Sequence, residues 1–68
     1  MGNTVFVVRE FNRYLSELGI YGVYSTLEKA EKNLEKNYPW IRFDEERWVW
    51  SLGDRSNFFR IDEYTVDL

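Results

Sequence analysis

The sequence predicts a small α+β domain of order ββαββ: a four-stranded, mainly antiparallel sheet with one helix packed on one face. Three observations carry this. A β-branched and aromatic run opens the chain at Thr4–Glu10. One capped, amphipathic segment occupies 25–37, and alternating aromatic runs fill 47–67. A helix with a single apolar stripe can cover one face of such a sheet, the common solution for a small two-layer domain.

The first strand, Thr4 to Glu10 (TVFVVRE), places Val5 and Val7 on one face and Phe6 and Val8 on the other. Apolar side chains on both faces indicate an interior strand. From Phe11 to Leu18 the pattern admits two conformations. Phe11, Tyr14, Leu15 and Leu18 have helical spacing with Gly19 as a stop, but so short a helix is marginal alone. The alternative is the splayed end of a long hairpin. Ile20 to Ser25 (IYGVYS) reads as the second strand, with Gly22 marking a bulge or a close backbone approach.

Ser25-Thr26-Leu27-Glu28 fits a capping box, with Ser25 as N-cap and Glu28 reaching back to the cap amide. The helix continues through Asn37, its stripe formed by Leu27, Ala30 and Leu34 and extended by Tyr38. Glu28 and Lys32 form a favourable i,i+4 pair, and Pro39 ends the element. Trp40–Phe43 is a short extended piece. Arg47 to Leu52 is a strand with Trp48, Trp50 and Leu52 on one face and Val49 on the other. Gly53–Ser56 carries turn chemistry, and a last strand follows from Asn57 to about Asp67. Phe59 and Ile61 are out of phase with Tyr64, Val66 and Leu68, so a bulge near Asp62–Glu63 is expected to bring both sets to the core.

The 68 residues form one domain, 1–68, at a size where a single core supplies only about 3–5 kcal/mol of net stability. The chain contains neither cysteine nor histidine. Disulfides, thiol nucleophiles, Ser-His-Asp triads and Cys/His metal sites are thereby excluded. Aromatic residues make up 19% of the chain, as three Trp, five Tyr and five Phe. Beyond what one helix can cover, some of these rings must reach the opposite sheet face or an edge, where dimerisation would bury them.

The net charge is -3, and residues 35–68 carry the whole excess, eight acids against five bases. That is far from the basic stripe of a nucleic-acid binder. The longest uncharged stretch is the ten residues Leu18–Leu27, too short for a bilayer span of about 20 residues. The start lacks a basic region followed by a long apolar run, and Phe6 stands where a myristoylation motif needs Ser or Thr. A cytoplasmic protein is expected.

The segment Gly22-Val23-Tyr24-Ser25-Thr26-Leu27-Glu28-Lys29-Ala30-Glu31 resembles the helix entry of small uncharacterised proteins of phages and low-GC bacteria, a domain of unknown function. The opening Val5–Val8 and the ending Arg60-Ile61-Asp62-Glu63-Tyr64-Thr65-Val66-Asp67 are also similar. The aromatic segment Trp40–Trp50 departs from that pattern. The resemblance implies a phage or prophage origin and brings no activity with it.

Asp44-Glu45-Glu46, Asp54 and Asp62-Glu63 offer carboxylates, but their spacing lacks the calcium-loop pattern and neighbours on a strand point to opposite faces. No metal, cofactor or catalytic residue is assigned, and no enzyme is expected. The four glycines are scattered and form no phosphate loop. Trp40, Arg42, Arg47, Trp48 and Trp50, by contrast, fall within eleven positions and are of the types enriched at interface hot spots. The competing use of Trp48 and Trp50 is as core beneath the helix. The expected function is a non-enzymatic, phage-type accessory protein that binds and modulates a host protein, a defence or transcription component being one option. Those five residues form the expected surface, with Asp44 to Glu46 adding charge selectivity. The alternative is an oligomeric protein that sequesters a nucleotide signal or another small anion, stacking it on the tryptophans and holding its phosphate with Arg42, Arg47 or Arg55.

Overall fold

The computed structural model describes residues 3–53 and 57–66. Five strands and one helix follow in the order β1 (Asn3–Phe11), β2 (Glu17–Tyr24), α1 (Leu27–Asn37), β3 (Arg42–Asp44), β4 (Val49–Ser51) and β5 (Phe58–Val66). They form a single antiparallel sheet ordered β2-β1-β5-β4-β3, with α1 on one face. The α+β class and the single covering helix agree with the sequence. The strand count does not: among the described residues there are five. The extra strand is β3, which the short run before Asp44 conceals because three residues are too few to display alternation.

The β1–β5 pair organises the sheet. Its register runs from Asn3↔Val66 to Phe11↔Phe58 without a shift, so the bulge expected near Asp62–Glu63 is absent. Phe59 and Ile61 consequently face the helix with Phe6 and Val8, while Tyr64 and Val66 turn to the opposite face. The irregularities lie in β2 instead. Its pairing with β1 shifts between Val8 and Arg9, leaving Tyr21 as an extra residue between Ile20 and Gly22, and shifts again between Glu10 and Phe11. The first bulge turns Tyr21 toward the core. At Gly22 a Cβ would lie 2.6 Å from the Tyr24 hydroxyl, so what comes close there is a side chain and not another backbone, while the bulge lies directly beside it.

Residues 12–16 form the hairpin connection rather than a helix. Asn12 closes it, its Oδ1 accepting from the amides of Tyr14 at 2.9 Å and Ser16 at 3.0 Å. The N-cap of α1 is Thr26, one residue later than the capping box implies, and its Oγ1 accepts from the Lys29 amide at 3.1 Å. Lys29 therefore stands at N3, where the reciprocal bond of a capping box needs Glu or Gln. The Glu28–Lys32 pair is formed at 2.8 Å. The turn expected at 54–56 lies outside the described residues.

Val8, Ala30, Leu34 and Phe59 are completely buried and, with Ile41, make the core. Each large side chain so buried is worth about 1.5–3 kcal/mol relative to exposure. Tyr21 and Tyr38 flank Phe59 with ring centroids 5.1 Å and 5.4 Å away. Leu27, the first residue of the helical stripe, is 44% exposed, because α1 lies over β1 and β2 rather than across the whole sheet. Among the described residues no helix is long and apolar enough to cross a membrane.

Candidate functional site

The offset of α1 leaves the β4–β3 side of its own face uncovered. Between the helix and the β3–β4 hairpin runs an open groove of about 450 Å³. Phe6 from β1 and Ile61 from β5 form its floor, as their register on the helix side requires. Phe43, Trp48 and Trp50 form the hairpin wall, and Leu27 forms the helix wall. The volume falls in the range of small-molecule and side-chain pockets.

The hairpin wall is built by one turn. Asp44 Oδ1 accepts from the amides of Glu46 at 3.0 Å and Arg47 at 3.4 Å, while Asp44 Oδ2 pairs with Arg47 Nε at 3.3 Å. The turn ends on Trp48 with φ 57°. A left-handed backbone costs an L-residue roughly 1–2 kcal/mol, and a bulky side chain there is an outlier. The indole is 74% exposed. It stands edge-on to Phe43, at 5.5 Å and 78°, and Trp50 also meets Phe43, at 5.3 Å and 54°. Trp48 and Trp50 thus share one side of the hairpin, as their spacing suggests, although Trp48 lies in the turn and not in a strand.

The other expected site residues lie elsewhere. Trp40 follows the C-terminus of α1, 62% exposed, with its ring 6.0 Å from Tyr38, and does not line the groove. Arg42 pairs across from Ser51, which places it on the face opposite Phe43. Arg47 lies over the Phe58 ring at 5.4 Å, also on that opposite face. The arginines and the tryptophans are therefore on different sides of the sheet. Among the described residues, the charged ones lining the groove are Glu31 and Glu63, and no basic residue lines it. Among the described residues neither carboxylate has an ion-pair partner.

The opposite face has its own charge cluster around Arg9. Its Nη1 pairs with Glu17 at 3.2 Å, and Nη2 donates to the Tyr64 hydroxyl. Arg9 Nε lies 3.5 Å from Asp62 Oδ2, an ion-pair separation without hydrogen-bond geometry, so that nitrogen is buried with no hydrogen-bond acceptor. Arg60 Nε holds the other Asp62 oxygen at 3.0 Å. Among the described residues no group of three or more acidic side chains is arranged to hold a metal. Asp44 is instead committed to the turn.

No match emerges. Comparison with protein-family models, with curated proteins and with solved structures finds nothing similar to this chain. The groove itself is thus the starting point for function. Phe6, Leu27, Glu31, Phe43, Ile61 and Glu63 are its members beyond the tryptophans, and they are scattered from near one end of the chain to near the other. Leu27 at the edge of the helical stripe and the spacing of Phe59 and Ile61 are signals for Leu27 and Ile61 alone, and the glutamates have none.

Proposed function

We propose that this chain is a non-enzymatic protein-binding module whose contact surface is the aromatic groove, centred on Trp48 with Phe43 and Trp50. The observation that carries this reading is Trp48 itself. A large aromatic ring held exposed on a left-handed backbone opposes both stability and solubility, and such strain is characteristic of sites kept for contact. Tryptophan is also the residue most able to supply binding free energy when a partner desolvates it. For a chain of the phage type that it resembles, the partner would be a host protein that the binding modulates.

The test is affinity capture from lysate of the natural host, with tagged parent chain and Trp48→Ala run side by side. A protein retained by the parent and lost by a folded Trp48→Ala variant supports the reading. Equal retention by both, or none by either, overturns it.

Self-association is a second use for the aromatic and aliphatic excess. Ile20, Val23, Tyr64 and Val66 stay exposed, from 36% for Val66 to 64% for Ile20, around the sheet face that α1 does not cover. Light scattering across a concentration series decides it: a dimer supports this use, and a monomer throughout removes it.

A further inference from the structure

We infer that the groove receives a cationic side chain, lysine or arginine, presented by the protein partner. The inference rests on the protein-binding reading above and adds the chemistry of the partner. Three features of the groove converge on it. Its lining includes the rings of Phe6, Phe43, Trp48 and Trp50, and the negative π-face of an aromatic ring attracts an ammonium or guanidinium group held close to it. Its charged lining residues are Glu31 on the helix side and Glu63 on the sheet side, which bracket the aromatic wall with two carboxylates. Among the described residues, neither carboxylate is neutralised by an ion pair and no basic residue lines the groove.

The same arrangement argues against an anion here. Phosphate or carboxylate would enter an apolar cleft already facing two like charges, with Arg42 and Arg47 on the other side of the sheet. A long cationic side chain suits both halves of the groove. Its methylene stem lies along Ile61, Leu27 and the rings, and its charged head reaches the glutamates at the open side. The chain's own net charge of -3 adds a weak attraction at long range.

The test selects binders to the full-length chain from a displayed library of random peptides, and then replaces residues in the selected peptides. Selected sequences are expected to contain a lysine or arginine flanked by apolar residues and to lose binding to Trp48→Ala. Exchanging that lysine for norleucine, which keeps the stem and removes the charge, is expected to weaken binding about tenfold. Exchange for glutamate abolishes it. The double variant Glu31→Gln/Glu63→Gln, checked for folding by circular dichroism, is expected to lose the preference for lysine over norleucine. The peptide-side exchange does not depend on how that variant folds. If norleucine peptides bind the parent as tightly as lysine peptides, the cationic assignment is wrong while the protein-binding groove stands. If no selected peptide is sensitive to Trp48→Ala, both fail.

Discussion

The Trp48 indole stands edge-on to the Phe43 ring, with 5.5 Å between centroids and 78° between planes. That contact holds an exposed residue in place from one side only. Trp50, two positions along, also meets Phe43 but is partly buried opposite Phe59 in the β4–β5 ladder. The two tryptophans should therefore separate stability from binding. Trp50→Ala is expected to lower stability by about 2–4 kcal/mol, as large-to-small changes in packed positions do. Trp48→Ala should cost under about 1 kcal/mol. Trp48→Gly should be neutral or stabilising, because glycine relieves the backbone at φ 57°. Urea unfolding of the three variants checks this. A loss of several kcal/mol in Trp48→Ala would make Trp48 a core residue and end its role as the centre of the groove.

At Gly22 the space for a side chain is occupied by the Tyr24 ring, whose hydroxyl donates to Asn33 Oδ1 at 2.7 Å. Gly22→Ala must push that ring aside and stretch the link between β2 and α1. The expected loss is about 1–2 kcal/mol, comparable to an overpacked site with one lost hydrogen bond. The two residues should also be coupled. In a Tyr24→Ala background the obstructing ring is gone, so Gly22→Ala should cost markedly less than in the parent. A double-mutant cycle by thermal or urea unfolding reads the coupling, and strictly additive effects would refute the close approach.

The start of α1 offers a cleaner choice between two neighbouring residues. Thr26 Oγ1 accepts from the Lys29 amide, whereas Ser25 Oγ meets only the flexible Lys29 Nζ, at 3.2 Å. Thr26→Ala should cost about 1 kcal/mol, the usual value of an N-cap. Ser25→Ala should stay within a few tenths, roughly the size of other exposed substitutions. The opposite order in unfolding experiments would restore Ser25 as the cap.

That one-residue displacement shows how far the sequence could be read. Elements with a repeating period were legible: β1 from its two apolar faces, α1 from Leu27, Ala30 and Leu34, and β5 from its alternation. The reading failed where period is absent or where pairing overrides it. Strand β3 is too short to have a period. The bulge at Asp62–Glu63 followed from requiring every apolar residue of β5 to face one core, but the unbroken β1 ladder sends Tyr64 and Val66 to the other side. In the groove, the shared side of Trp48 and Trp50 was visible from their spacing. The glutamates were not, because Glu31 on α1 and Glu63 on β5 come to line one groove only through tertiary packing. Trp40, Arg42 and Arg47 lie close to Trp48 and Trp50 in sequence, but the fold parts them from the groove.

Alkaline pH probes the aromatic layer on the helix side. Burial pushes the Tyr24 hydroxyl above the ordinary tyrosine range, and the neighbouring Tyr21 adds to the effect. Tyr38 is raised for the same two reasons, with Glu10 contributing further. In the folded state both phenols thus hold their protons to higher pH than in the unfolded chain, whose tyrosines titrate near 10. Above about pH 10 the unfolded state binds fewer protons than the folded one, so stability falls as pH rises from there. Below that point both states are protonated and these two residues contribute no pH dependence. The melting temperature should therefore drop with a steeper slope above pH 10 than between pH 8 and 9. Tyr24→Phe should reduce that slope, since phenylalanine has no proton to lose; it also removes the bond to Asn33, lowering stability by about 1 kcal/mol below pH 10, a deficit that shrinks as pH rises further. An unchanged alkaline slope in Tyr24→Phe and in Tyr38→Phe would mean that neither hydroxyl is shielded in the folded chain.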